Sequence, residues 1–214
     1  MKKGIKSLNK ALKALKQLHA GNYRFVSDSR QNSPAVNSKR RAELVQGQKP
    51  FAVILGCSDS RVSPEIVFDQ TLGDLFIIRV AGNIVTPVVM GSVEFAVEQF
   101  DTRLVVVLGH TRCGAVMATL EELYLPAEDC SPNLGSIISH IRPSLEDLVE
   151  TELRKNPDAL MKHAVHANIL ASVEQLKNGS QLLGRLVRDD GLLIGGAQYS
   201  LETGKVNFFD GPAG

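Results

Sequence analysis

Short apolar runs alternate with helical patterns through the middle of this chain, and the alternation limits the folds open to it. Runs that predict buried strands lie at residues 51–55, 75–78 and 104–108. Segments with helical apolar spacing follow these runs at residues 63–69, 91–100 and 113–124. Strands that alternate with helices in this way are parallel, and the helices cover both faces of their sheet. The pattern therefore predicts an α/β fold with a mainly parallel sheet.

Two more apolar runs near the C-terminus complete the predicted sheet. Residues 192–194 follow an Asp-Gly turn and predict a fourth strand, and residues 206–209 predict an antiparallel edge strand after a second turn. We therefore expect about four mainly parallel strands plus the edge strand, flanked by helices. We interpret residues 1–214 as a single domain, with an N-terminal helical arm at 1–47 and a core at 48–214.

The N-terminal segment has the pattern of an amphipathic helix. Apolar residues from Ile5 to Leu18 recur at spacings of three and four, and lysines cover the other faces. Because glycine is common just after a helix, we expect this helix to end at Gly21 and another short element at residues 22–26. The helix is expected to pack on its own domain or on a second subunit. A membrane-surface helix is the alternative, but the segment lacks the Trp or Phe that such helices often use.

Composition and charge disfavour several classes of protein. A net charge of +1 over 214 residues gives no electrostatic reason to expect a nucleic-acid partner. No apolar run approaches the ~18 residues needed to span a bilayer. Residues 1–18 also lack the continuous apolar run of a secretory signal. We therefore expect a cytoplasmic protein, with removal of a signal peptide before residue 1 as the alternative.

The three cysteines are an odd and low number, which argues against a disulfide framework and fits a reducing compartment. Cys130 lies in a predicted loop and is expected to be an ordinary surface thiol. Cys57 and Cys113 lie in polar segments that follow predicted strands, where a thiol can take part in chemistry.

The two polar segments that contain Cys57 and Cys113 carry most of the functional information. The segment Cys-Ser-Asp-Ser-Arg at 57–61 follows the first predicted strand, and His-Thr-Arg-Cys-Gly at 110–114 follows the third. If these strands are parallel neighbours, their following loops open at the same edge of the sheet. The side chains that would converge there are Cys57, Asp59, His110 and Cys113. Because thiolates and imidazole suit Zn²⁺ and disfavour Mg²⁺ or Ca²⁺, the sequence predicts a zinc site.

The position of Asp59 decides between a catalytic and a structural zinc site. A structural site has four permanent protein ligands, whereas a catalytic site keeps one position for water. Arg61 follows Asp59 by two residues and presents a planar fork that matches a carboxylate. If Asp59 pairs with Arg61, the zinc gains a water whose pKa it lowers towards neutrality. If Asp59 binds the zinc, the site is closed.

These segments resemble the zinc motifs of the β-class carbonic anhydrases. Residues 57–62 and 109–114 match the two motifs, and the segment Arg-Val-Ala-Gly-Asn at 79–83 matches a third part of the family pattern. The similarity extends from about residue 21 to the C-terminal strand, which is nearly the whole chain.

The resemblance implies an activity and a cofactor. One zinc ion per chain would be held by Cys57, His110 and Cys113, within the core at 48–214. Asp59 would be either the fourth ligand or the acceptor of a hydrogen bond from the zinc water, and Arg61 would be its partner. The activity implied is the reversible hydration of carbon dioxide to bicarbonate and a proton by zinc-bound hydroxide.

The resemblance also implies a substrate pocket and an assembly. Gln48 matches the active-site glutamine of the plant-type subgroup and would donate a hydrogen bond to bicarbonate, from its own or the other subunit. Phe76 and Ala81 fall where the family lines an apolar pocket for carbon dioxide, and Gly114 would offer a backbone N–H. The family forms homodimers, which often pair into dimers of dimers.

The chain departs from the family at two positions. Phe95 stands where the plant-type enzymes have a tyrosine, so a hydroxyl near the site is lost. Ile54 stands where a bacterial subgroup has the tryptophan that binds an inhibitory bicarbonate. We therefore do not expect that form of regulation here.

Two other functions fit parts of the same pattern. Relatives of this fold hydrolyse carbon disulfide or carbonyl sulfide, which are linear molecules like carbon dioxide. A closed zinc site could instead be structural, in an interaction protein. The structural alternative has no need of Arg61 beside Asp59 or of Gln48, so we favour the enzyme.

Overall fold

The computed structural model describes residues 2–31, 38–124 and 131–209. Cys130 lies outside the described residues, so its predicted role as a surface thiol stays a prediction. Within the described part of the chain, no helix is both long enough and apolar enough to cross a membrane.

A five-stranded sheet forms the centre of the fold, in the order β2-β1-β3-β4-β5. The strands are β1 (Ala52–Gly56), β2 (Leu75–Arg79), β3 (Leu104–His110), β4 (Leu193–Tyr199) and β5 (Val206–Phe208). The first four pair in parallel, and β5 pairs with β4 in the antiparallel sense. The predicted α/β fold with an antiparallel edge strand is confirmed.

Helices cover both faces of this sheet. The α-helices of the described residues are α1 (Lys2–Val26), α2 (Ser38–Leu44), α3 (Pro64–Val67), α4 (Pro87–Gln99), α5 (Gly114–Tyr124), α6 (Pro132–Ile141), α7 (Glu146–Val149), α8 (Pro157–Gly179) and α9 (Gln181–Asp189). Short 3-10 turns lie at Ala81–Asn83, Arg142–Ser144 and Glu152–Lys155. The turn at Ala81–Asn83 directly follows β2 and, as described below, contacts the functional site.

Alternate residues of the central strands divide the core between the two faces. Val53 and Leu55 of β1 pack with α4, α5 and α8, whereas Ile54 of the same strand packs with α1 and α3. Successive side chains of a strand point to opposite faces, so a fully apolar strand serves two cores at once. The buried central position of β1 and β3 gives the loops that follow them a rigid base.

The N-terminal helix differs from its prediction, because α1 continues through Gly21 to Val26. A Cβ atom at position 21 would lie 1.8 Å from the carbonyl oxygen of Phe68. This glycine therefore permits a close approach between α1 and the segment after α3, and it does not end the helix. A glycine can serve either purpose, and the sequence pattern alone suggested the wrong one.

Asn22 joins α1 to two distant parts of the chain. Its buried side-chain amide donates to the carbonyl oxygens of Val67 at 3.2 Å and Gly204 at 2.9 Å, and its oxygen accepts from the backbone N–H of Val206 at 2.9 Å. The helix therefore packs on the sheet of its own chain, which was one of the two placements expected. The turn between β4 and β5 is held against α1 by the same contacts.

Candidate metal centre

Two adjacent parallel strands bring the functional segments together. Gly56 of β1 lies beside Leu108 of β3 in the sheet register, so Cys57 and His110 emerge at the same edge. A Cβ atom on Gly109 would lie 2.6 Å from Ile169, so glycine lets α8 pack closely beneath this edge. The convergence predicted from the strand order is present in the structure.

Three side chains at this edge could hold a metal ion. The ligand atoms of Cys57, His110 and Cys113 lie within 4.8 Å of one another, and all three residues are buried. The two sulfur atoms are 4.0 Å apart. Two sulfurs bound to one tetrahedral zinc at about 2.3 Å would be about 3.8 Å apart. The spacing of the thiols therefore fits zinc with little adjustment.

The imidazole of His110 has one ring nitrogen in use and one without a partner. Nδ1 lies 2.9 Å from the carbonyl oxygen of Thr111, and because a carbonyl only accepts, Nδ1 carries the proton and donates it. Nε2 is buried without a hydrogen-bond partner among the described residues. Buried polar atoms are nearly always paired, so this unpaired nitrogen is itself an argument for a metal ligand.

The two thiols influence each other strongly. The hydrogen bond with Cys113 is the main cause that lowers the pKa of Cys57, and the backbone N–H groups of Gly82 and Asp59 act in the same direction. The pKa of Cys113 is raised, chiefly because it shares this hydrogen bond and is buried. The same hydrogen bond therefore shifts the two pKa values in opposite directions. A bound metal ion would require both sulfurs as thiolates, so metal binding would release their protons.

Asp59 is fully engaged by Arg61. Its Oδ1 accepts from the backbone N–H and the Nε of Arg61, both at 2.9 Å, and its Oδ2 accepts from a guanidinium nitrogen at 2.7 Å. The side-chain hydrogen bond to Arg61 is the main reason that the pKa of Asp59 lies far below its usual range. Asp59 Oδ2 is also 3.9 Å from His110 Nε2. The carboxylate thus lies beside the three candidate ligands while it is held by the arginine.

Arg79 is a site residue whose role the sequence analysis missed. Its Nε donates to the carbonyl oxygen of Cys57 at 2.9 Å, and a terminal nitrogen donates to the carbonyl oxygen of Asp59 at 2.7 Å. Arg79 therefore fixes the backbone from which the side chains of Cys57 and Asp59 extend. The signal was available, because Arg79 begins the 79–83 segment of the family pattern, but the sequence did not show which atoms it contacts.

The remaining predicted residues fall into two groups. Ala81 begins the 3-10 turn after β2, and Gly114 is the first residue of α5, directly after Cys113. Both lie at the carboxyl edge of the sheet, next to the candidate ligands. Phe76 lies further back in β2, where its ring packs with Phe95 and Phe100 at centroid distances of 6.2 and 5.9 Å.

Gln48 is not brought to the metal centre by its own chain. It precedes β1, lines a surface cavity with Arg40 and Asp74, and is exposed. Cys57 follows the other end of β1, and five strand residues span about 13 Å. The structure therefore places Gln48 at the amino edge of the sheet, opposite the candidate ligands.

A buried Cys₂His set on an α/β sheet, with an arginine-bound carboxylate beside it, is typical of metal-dependent enzymes whose three-ligand site leaves one position open. A family model described as carbonic anhydrase matches residues 52–206. The chain belongs to this carbonic anhydrase family, and the enzyme class predicted from the sequence is confirmed.

Individual relatives agree with the family match. The chain is 37% identical over 195 residues to carbonic anhydrase 2 of Mycobacterium tuberculosis, covering 90% of this chain and 89% of the relative. It is 39% identical over 193 residues to a carbonic anhydrase of Mycolicibacterium smegmatis, covering 90% of each. The solved structure of the β-carbonic anhydrase CcaA is similar, with a TM-score of 0.74 and 28% identity, over 92% of this chain and 95% of that one. The resemblance to the β class is confirmed.

Proposed function

We propose that this chain binds one zinc ion through Cys57, His110 and Cys113 and catalyses the reversible hydration of carbon dioxide to bicarbonate and a proton. The observation that supports this most directly is the unpaired, buried Nε2 of His110 beside two thiols at zinc spacing. Asp59 and Arg61 next to these ligands favour an enzyme over a structural metal site, because a structural site needs no such pair.

Each side chain has a distinct task in this proposal. Bound zinc would supply a water that is ionised near neutral pH. Asp59 would accept a hydrogen bond from the attacking water and so orient it towards the carbon of carbon dioxide. Arg61 would hold the Asp59 carboxylate turned towards this water. Ala81 would form part of the apolar wall for the substrate, and the Gly114 N–H would be a donor for bicarbonate.

We further propose that the active unit is a homodimer, alone or paired into a dimer of dimers. Gln48 lies at the wrong edge of the sheet to reach its own metal centre, so its predicted contact with bicarbonate would be made in the partner's site. An exposed apolar strip on α4 supports an interface, since the side chains of Val88 and Phe95 are 80% and 52% exposed. Phe76 packs directly beneath Phe95 and would join the same contact.

We also propose a cytoplasmic location and a single domain with the N-terminal arm at 1–47. Cys57 and Cys113 must remain reduced to bind a metal, and a reducing compartment maintains that state. The packing of α1 on the sheet face that contains Ile54 supports a single domain, because arm and core share a hydrophobic cluster.

Complementation between two impaired variants tests whether Gln48 acts in the site of the partner subunit. We expect Gln48→Ala to lose about 10-fold to 100-fold in activity, the usual cost of a hydrogen bond to a charged group. Mixing it with Asp59→Ala should restore activity, because in a mixed dimer the intact site of one chain receives Gln48 from the other. Native mass spectrometry would verify that mixed dimers form. Mixed dimers with no recovered activity would show that Gln48 does not act across an interface.

The proposed reaction is tested by stopped-flow hydration of carbon dioxide with a pH indicator, on protein whose zinc content has been measured. We expect rapid turnover at pH 8.5 that disappears when the zinc is removed and returns when zinc is restored. Release of hydrogen sulfide from carbon disulfide or carbonyl sulfide would be measured on the same preparation. A zinc-loaded protein that is inactive on carbon dioxide would contradict the proposal, and activity on the sulfur compounds would then identify the substrate.

A further inference from the structure

Glu202, in the turn between β4 and β5, binds the segment that carries two of the candidate ligands. We refer to residues 110–113 as the metal loop. The carboxylate of Glu202 accepts from the hydroxyl of Thr111 at 2.8 Å with one oxygen and from the Nε of Arg112 at 2.8 Å with the other. The hydroxyl of Ser200 adds a third hydrogen bond at 3.1 Å. Both oxygens of Glu202 are therefore used to hold this loop and its own turn.

Thr111 transfers these contacts to the histidine. Its carbonyl oxygen accepts from Nδ1 of His110 at 2.9 Å, and this bond leaves Nε2 free to bind a metal. Its backbone N–H donates to Tyr199 at 2.9 Å, and its hydroxyl accepts from the N–H of Leu201 at 3.0 Å. Four hydrogen bonds thus fix one residue, and all the partners except His110 lie in or beside the β4–β5 turn.

The β4–β5 turn can support the metal loop because the N-terminal helix α1 fixes the turn itself. The side chain of Asn22 bonds to Gly204 and Val206 on the side of the turn that faces α1. Arg112 also needs support, since its φ of 55° is a left-handed conformation that costs free energy for a side chain other than glycine. Glu202 binds Arg112 in that conformation and so stabilises the bend between the two ligands His110 and Cys113.

We propose that Glu202 is a positioning residue of the metal centre, which acts through Thr111 to orient His110 and so increases the affinity for zinc. The proposal rests on the zinc site of the proposed function. It extends that function, because Glu202 was not among the residues that the sequence indicated. Groups that orient a metal-binding histidine through its second nitrogen typically change metal affinity when they are removed.

Zinc retention measures this role without reference to catalysis. We expect Glu202→Ala and Thr111→Val to lose zinc to a competing chelator at about 10-fold lower chelator concentration than the unmodified protein. Thr111→Ser keeps the hydroxyl and should retain zinc normally. Glu152→Gln breaks an exposed ion pair with Lys155 elsewhere on the surface, so it should also be unchanged. When zinc is replaced by Co²⁺, the visible spectrum should be altered in Glu202→Ala and Thr111→Val and unchanged in the two control variants.

A double variant separates positioning from general destabilisation. If Glu202 acts through Thr111, the combined Glu202→Ala and Thr111→Val variant should lose clearly less affinity than the two single losses added together, and any loss beyond that of Thr111→Val reports the contact of Glu202 with Arg112. Additive losses, or a Glu202→Ala protein that retains zinc as the unmodified protein does, would overturn the proposal. The free energy of unfolding of each zinc-free variant would also be measured. If it falls by as much as the free energy of zinc binding, the proposal is overturned, since the role of Glu202 would then be structural. Failure of carbon dioxide hydration would contradict the proposed function but leave this zinc measurement valid.

Discussion

His110→Ala is expected to lose its zinc and at least about 1,000-fold of its carbon dioxide hydration rate, because the metal supplies several kcal/mol of transition-state stabilisation. Cys57→Ser and Cys113→Ser should behave alike, since each removes one of three ligands within 4.8 Å. Metal analysis and stopped-flow hydration of the same samples provide the measurement. Loss of zinc and loss of activity should occur together in all three variants.

Cys130→Ser is the matched control for these substitutions. It removes the third cysteine of the chain, which has no motif around it, and it should keep both zinc and activity. If His110→Ala retained full activity after its zinc was lost, the reaction would not depend on this centre and the proposed function would be wrong.

Arg61→Ala and Asp59→Ala are expected to keep zinc and to lose about 100-fold to 1,000-fold in kcat/KM, the usual cost of removing one oriented polar group from an active site. The reason is geometric, because Arg61→Ala removes the two guanidinium hydrogen bonds that, with the backbone N–H of residue 61, hold the Asp59 carboxylate beside the three ligands. Arg61→Lys keeps the charge but loses the planar fork, so its loss should be intermediate. Full activity in Arg61→Ala would refute a role for the pair.

The pH profile provides a second test of this pair. Arg61 lowers the pKa of Asp59 far below its usual range, so the ionised pair is intact above that range and is lost only as pH falls through the lowered pKa. Removal of Arg61 lets the pKa rise towards the ordinary value of about 3.9, which is still below any assay near neutrality. The loss in Arg61→Ala should therefore be constant from pH 7 to pH 8.5, approximate limits of neutral assay conditions. If the activity of Arg61→Ala recovered at high pH, this would indicate that Asp59 competes with the water for the open position on the metal.

The convergence of the candidate ligands could be predicted because its signals are local and its geometry follows from the sheet. Buried strands read as apolar runs, and parallel neighbours place the residues after them at one edge. Cys57 and His110 follow β1 and β3, which are adjacent in the structure. Nothing more than strand order was needed to bring these two side chains together.

Features that depend on contacts between distant residues could not be predicted. Gly21 resembled a helix end, and only the position of the Phe68 carbonyl shows why a glycine is needed there. Glu202 is 91 residues from Thr111 in sequence, so no local pattern joins them. Gln48 has a family match, but its place at the far edge of the sheet depends on where β1 begins.

The support of the metal loop has a consequence for how the enzyme is made. A growing chain contains all three candidate ligands once residue 113 has been added, but Glu202 is synthesised 89 residues later, since 202 − 113 = 89. At typical rates of translation this interval lasts about 5–20 s. During that interval the three candidate ligands have been synthesised, but β4, its turn and the hydrogen bonds to Thr111 are still missing. The hydrogen bonds that orient the metal loop are therefore completed only after the β4–β5 turn has been added, long after the three ligands themselves.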